Sequence, residues 1–177
     1  MSSIDGSSYD ESPVEASPAE AWLTAAAIVE GYEISLDPAR LDLRAMHAYL
    51  SRAYWSPGIP FETVQRAARN SLCFGLYETA TGAQVGLTRV VTDHATFAYL
   101  CDVYVLEEHR GRGLGKFLMR NVMAHPALTG ARRTMLGTRD AHGLYRQYGF
   151  TDAAGTKVLM EILRPDMYRA KSVTTSA

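Results

Sequence analysis

Glycines at 111, 113 and 115, interleaved with Arg110, Arg112, Leu114 and Lys116, make up the stretch of this sequence whose residue types and spacing best suit chemistry. Glycine leaves backbone N–H groups unobstructed, and Leu114, Phe117, Leu118 and Val122 recur at the spacing of an amphipathic helix. Bare amides at a helix start, with cations beside them, form a binding site for phosphate. Val103, Tyr104 and Val105, ahead of the loop, are β-branched or aromatic and should form a strand leading into it. Farther along, the run from Ala141 to Phe150 reads as a short helix ending in Leu-Tyr-x-x-x-Gly-Phe, and it carries Tyr145.

Three glycine-rich motifs compete for the loop. A Walker P-loop would need glycine where Arg110 stands and a metal-binding hydroxyl where Phe117 stands, so it fails twice. A dinucleotide fingerprint would need a third glycine where Lys116 stands and a strand that opens a parallel unit. The pattern R-x-x-G-x-G/A is satisfied by Arg110-Gly-Arg-Gly-Leu-Gly115. Together with the Leu-Tyr-x-x-x-Gly-Phe helix, this motif resembles the GNAT superfamily of acyl-CoA-dependent N-acetyltransferases. The resemblance runs in element order from about Leu72 to Leu163 and is specific at the two motifs.

The resemblance implies acetyl-CoA as cosubstrate. It puts Arg110, Gly111, Arg112, Gly113, Leu114 and Gly115, with Lys116, around the coenzyme A pyrophosphate. It lays the strand edge at Val103, Tyr104 and Val105 along the pantetheine arm, and makes Tyr145 the donor of a proton to the departing thiolate. An asparagine common seven residues before that tyrosine is Thr138 here, which can still cap the helix or bond a cofactor amide. Many members place a proton-accepting glutamate where this chain has Tyr99. Asp102 is the nearest carboxylate: either the proton acceptor, or a buried acid held by a backbone or arginine partner. Asp93 and His94 are alternatives, although a polar pair between two strands is more often just a turn. A bulge near Asp102 to Tyr104 would free a backbone N–H for the oxyanion of acyl transfer.

These groups need a scaffold. Tyr32 to Leu36 alternates as a first strand, Asp37-Pro38 should cap a helix running to Leu50, and Pro60 should start a second helix. Between the helices, Ser51 to Pro60 is rich in aromatic and turn residues, and Tyr54 and Trp55 read either as an acceptor-pocket wall or as a core plug. Strands are expected at 72–77, 83–91 and 96–105, joined by hairpins into an antiparallel meander. A helix over 113–124, a strand over 133–138, a helix over 141–148 and a strand over 157–164 should follow. The expected class is α+β: a mixed, mostly antiparallel central sheet of about six to seven strands flanked by about four helices.

Composition narrows the class further. At 177 residues and 47% hydrophobic, the chain suits one domain over 31–165, with a partly disordered acidic tail over 1–30 and a frayed end over 166–177. Residues 1–30 carry six acidic side chains and no Lys or Arg, leaving the rest with 18 basic and 13 acidic side chains and a net charge of +5. That charge fits an anionic cofactor and is too dispersed for nucleic acid. No apolar run approaches the ~20 residues needed to span a bilayer, so no membrane is expected and the cytoplasm is the expected location. Cys73 and Cys101 lie in apolar runs without a telling histidine, and His47, His109, His125 and His142 lack metal-ligand spacing. The expected protein is thus a metal-free N-acetyltransferase moving acetyl directly to a small-molecule or peptide amine, with room for a homodimer. A non-catalytic acyl-CoA-binding module is the alternative.

Overall fold

The computed structural model describes residues 29–153 and Tyr168. The acidic tail and the strand expected at 157–164 fall outside the described residues, apart from Val29 and Glu30 at the tail's end. The order is β1 (Tyr32–Ser35), α1 (Leu43–Leu50), α2 (Phe61–Arg69), β2 (Leu72–Glu78), β3 (Gln84–Thr92), β4 (Phe97–Val105), α3 (Leu114–Ala124), α4 (Pro126–Thr129), β5 (Arg133–Leu136) and α5 (His142–Arg146), with short 3-10 turns at Pro38–Arg40 and Glu107–His109.

The five strands form one sheet in chain order, β1 to β4 antiparallel and β4 to β5 parallel. The α+β class and the mixed sheet agree with expectation, but the described residues hold five strands rather than six to seven and five α-helices rather than four. The added helix is α4. Four residues without a hydrophobic stripe leave little pattern to read; His125 starts it by accepting the Ala127 N–H on Nδ1 at 3.1 Å, and Pro126 opens it. Asp37 caps only the 3-10 turn, through the Ala39 N–H at 2.9 Å. The cap of α1 is Asp42, which accepts from Arg44 and Ala45.

Alternation along the strands divides the core in two. On one face, Phe74, Leu76, Val90, Ala98 and Leu100 pack against Leu114, Phe117, Leu118 and Val122 of α3. On the other, Cys73, Leu87 and Tyr104 pack under Met46, Tyr49 and Leu50 of α1 and Val64 and Ala68 of α2. Tyr104 stacks on Tyr49 with centroids 3.8 Å apart and planes 11° from parallel. The strand that leads into the glycine loop is thereby locked to the helix preceding the aromatic loop.

Burial of several weak acids sets an alkaline limit on stability. It pushes the Cys73 thiol up to about 11 and the Cys101 thiol and Tyr77 phenol up to about 12, and it raises Tyr104 as well. These groups stay protonated in the folded chain after the unfolded chain has begun to ionise. Their contribution is full below the ordinary thiol value of 9.0 and is lost as pH rises toward the folded values. Each costs about 1.4 kcal/mol per pH unit once its unfolded form is ionised. The melting temperature under reducing conditions should hold steady from pH 7 to 8.5 and fall steeply above 9.5; a flat profile to pH 11 would show that these groups are not buried.

Candidate active site

The loop after β4 turns twice through the left-handed region, at Gly111 (φ +77°) and Gly113 (φ +79°), where any side chain would be strained. Gly113 is the N-cap of α3, and no side chain caps that end. The Phe117 N–H is the first in the helix to bond back, to the Gly113 carbonyl at 3.0 Å. The amides of Leu114, Gly115 and Lys116 are thus the orphan donors of a helix start. Arg112 donates to the Tyr32 hydroxyl at 2.7 Å, and that hydroxyl lies 2.9 Å from His109 Nδ1, so β1 braces the loop from below. The Arg110 side chain turns inward, donating to the Val105 carbonyl at 2.9 Å and the Tyr49 hydroxyl at 3.1 Å. It fastens the loop to strand and helix and leaves the backbone to face a ligand.

Before that loop β4 is bulged. Leu87 stands opposite Tyr104 while Arg89 stands opposite Cys101, so Asp102 and Val103 together face Thr88. Asp102 takes φ +52°, rare for a residue other than glycine. On its other side β4 pairs with β5 only from Phe97 to Leu100. The expected strand over 133–138 therefore ends at Leu136, because Gly137 and Thr138 swing away instead of continuing the ladder. Between the diverging strands, Cys101 to Val105 present an edge with no strand partner among the described residues.

A cavity of about 950 Å³ fills the divergence. Its walls include the β4 edge, Gly115 of α3, Thr138, Tyr145 of α5, and Tyr54, Trp55 and Tyr99. Thus the structure brings Asp102, Val103, Tyr104, Val105, Arg110, Gly115, Thr138, Tyr145, Tyr54, Trp55 and Tyr99 around one space, while Gly111, Arg112, Gly113, Leu114 and Lys116 lie in the adjoining loop and helix start. Thr138 accepts the Ala141 N–H on Oγ1 at 3.0 Å, so it fixes the residue ahead of α5 rather than capping the helix, whose N-cap is Ala141 without a side-chain cap.

Tyr145 is 7% exposed, and its hydroxyl has no hydrogen-bond partner among the described residues. Burial, then the neighbouring Tyr54 and Asp140, pushes the phenol up to about 12. The phenol therefore stays protonated well above neutral pH. Asp102 is differently placed. Its Oδ2 takes the Arg89 Nε–H at 2.6 Å and its Oδ1 takes the Trp55 Nε1–H at 3.1 Å. Arg89 also donates to Ser71 Oγ at 3.0 Å; burial works against its charge, but Asp102 outweighs it and holds the guanidinium ionised.

Two residues of the cavity wall, Tyr49 and Arg139, and one behind it, Arg89, carry no signal in the sequence. Arg89 sits mid-strand with no motif around it, and only the bulge brings it to Asp102. Tyr49 occupies a helix position that nothing in the sequence sets apart from its apolar neighbours. Arg139 lies flat on Tyr54, its guanidinium carbon 3.8 Å from the ring centroid, while its N–H donates to the Tyr54 hydroxyl at 3.3 Å. Nothing in the sequence pairs residues 54 and 139; together they bridge the cavity mouth.

The profile of the Acetyltransferase (GNAT) family matches residues 32–150, and the chain belongs to that family. A crystal structure of a GNAT-family protein from Xanthomonas campestris pv. campestris is similar at 50% identity and a TM-score of 0.75, over 78% of this chain and 97% of that one. A provisionally named acetyltransferase of Gibberella zeae, FG08082, is 38% identical over 135 residues, 64% of this chain and 75% of the relative. Glucosamine-6-phosphate N-acetyltransferase from Arabidopsis thaliana shares the fold at 16% identity and a TM-score of 0.55, over 76% of this chain and 99% of that one. The protein is therefore an acetyltransferase by family, with the cavity between β4 and β5 as its candidate active site.

Proposed function

We propose that the chain moves an acetyl group from acetyl-CoA directly to a primary amine. The observation that carries this reading is the divided cavity wall: an uncapped helix start and a bulged, unpaired strand edge on one side, and a protonated phenol on the other. The residues fit the cofactor. The amides of Leu114, Gly115 and Lys116 would hold the pyrophosphate, with Arg112 and Lys116 supplying positive charge. The edge at Val103 to Val105 would take the pantetheine amides as a partner strand takes a ladder, and Thr138 borders the same space. Bound acetyl-CoA supplies a thioester, whose C–S bond breaks as the amine nitrogen bonds to the carbonyl carbon.

The bulge at Asp102 and Val103 offers backbone N–H groups for the oxyanion of that transfer. Tyr145 protonates the sulfur as it leaves. Asp102 has both oxygens engaged, one by a guanidinium, so we assign it to holding the bulge and the Trp55 loop rather than to accepting the amine proton. With Tyr99 in place of a carboxylate, the amine reaches the site neutral and passes its proton to water. No group of three or more metal-ligating side chains occurs among the described residues, and the proposed route needs no metal.

The engaged Asp102 is also what favours the second reading, a non-catalytic acyl-CoA-binding module. Free thiol release from acetyl-CoA across a panel of amines separates the two. The transferase should release thiol only with amine present, at a rate that climbs with the neutral fraction of the amine; tight coenzyme A binding with no thiol release at pH 9 would establish the module.

A further inference from the structure

We propose that the acceptor end of this cavity is built for a primary amine carried on an aromatic body, an inference that rests on the transferase reading above. Five large apolar side chains stand exposed among the described residues: Tyr54, Trp55, Val91, Phe97 and Tyr99. They gather in one place. Tyr99 is in register with Val91 across the ladder, and Phe97 lies two residues before Tyr99, so all three are on the face that α1 and α2 cover farther along the sheet. Tyr54 and Trp55 come from the loop after α1 and meet edge to face with centroids 4.9 Å apart. Tyr54, Trp55 and Tyr99 also line the cavity, so Tyr99 joins the exposed strand residues to the cavity wall. An exposed apolar patch continuous with a cavity is the mark of a binding surface.

The charges around that end point the same way. Asp102 is neutralised by Arg89 and bonded by Trp55, so it offers little to a polycation. Arg110 is spent on Val105, Tyr49 and Glu107, and Arg139 lies on the Tyr54 ring, so neither stands ready for a phosphorylated acceptor. Asp140, the other carboxylate on the wall, stands close enough to Tyr145 to help raise its pKa. What the acceptor end does present is ring edges and faces, which select a flat apolar group by stacking and edge-to-face contact.

The test compares 2-phenylethylamine and tryptamine with putrescine and glucosamine 6-phosphate in steady-state transfer, alongside calorimetry of each amine on the coenzyme A complex. The aromatic amines should show kcat/KM at least about tenfold above the others, and Tyr99→Ala should raise their KM about tenfold, the scale of one lost aromatic contact. Higher kcat/KM for putrescine or the aminosugar would overturn the subsite and leave the transferase standing. Calorimetric binding of 2-phenylethylamine without transfer of any amine would support the subsite and sink the transferase. Neither binding nor transfer overturns both. A dimer in sedimentation that Val91→Asp and Phe97→Asp dissociate would assign the face to a second copy and refute the proposal.

Discussion

Tyr145→Phe is expected to lower kcat about a hundredfold while leaving coenzyme A affinity within twofold of the parent. General acids contribute roughly a hundred- to ten-thousandfold, and a thiolate, already a tolerable leaving group, draws on the low end of that range. The fold should not notice the change. The hydroxyl bonds nothing among the described residues, and the ring keeps its edge-to-face contact with Phe150 at 5.9 Å, so stability should stay within about 0.5 kcal/mol. The pH profile adds an independent check. Since burial, followed by Tyr54 and Asp140, pushes the phenol up to about 12, the acid stays protonated far above neutrality. The parent's kcat/KM should therefore rise with the neutral fraction of the amine and show no descending limb below about pH 10, and the Phe variant should keep that shape at lower height. A descending limb near pH 8, or a Phe variant with full kcat, would remove Tyr145 from the reaction; joint loss of turnover and coenzyme A binding would make it a packing residue.

What the sequence made legible follows from how locally each feature is encoded. The meander of β2, β3 and β4 lies within one residue of its expected bounds, because short polar turns punctuate alternating strands and little else fits such a pattern. The phosphate-type loop was equally open to reading: glycine at φ +77° and +79° is required by the backbone, so residue type reports conformation directly. The bulge, expected near Asp102 to Tyr104 from the need of acyl transfer for a free backbone N–H, falls at Asp102 and Val103, where aspartate tolerates a left-handed backbone better than its β-branched or aromatic neighbours. The partners of that bulge could not be read. Arg89 reaches Asp102 from the neighbouring strand across a register shift, and Trp55 reaches it from a loop 47 residues away. Such contacts depend on how elements pack, not on any local period. The stop of β5 at Leu136 is of the same kind, since its residues favour a strand and only the divergence from β4 ends the pairing.

The ion pair between Arg89 and Asp102 carries the second large effect. Its side chains are 17% and 11% exposed, and Asp102 bonds Arg89 and Trp55 from a left-handed backbone. Arg89→Met would leave a largely buried carboxylate without its cation, which should cost about 3 kcal/mol by urea unfolding. Asp102→Asn is gentler on the chain, because asparagine tolerates φ near +52° and its carbonyl can still accept the Trp55 N–H. It does strand the Arg89 charge, at a cost of about 2 kcal/mol. Combining the two changes removes both charges and keeps the backbone preference. The double variant should then lie within about 1 kcal/mol of the parent, a coupling energy of several kcal/mol. Turnover discriminates further. If Asp102 holds the bulge and the Trp55 loop in place, the double variant regains most of the activity that Arg89→Met loses, since the carbonyl still ties Trp55 to the strand. If instead Asp102 accepts the amine proton, every variant lacking the carboxylate stays inactive however stable it is, and raising the pH to deprotonate the amine in advance restores it. The combination that would sink the anchoring role is a stable Arg89→Met/Asp102→Asn chain that binds coenzyme A, matches the parent at pH 9.5 and falls far below it at pH 7, because the neutral fraction of the amine lowers both chains alike and only a missing base separates them.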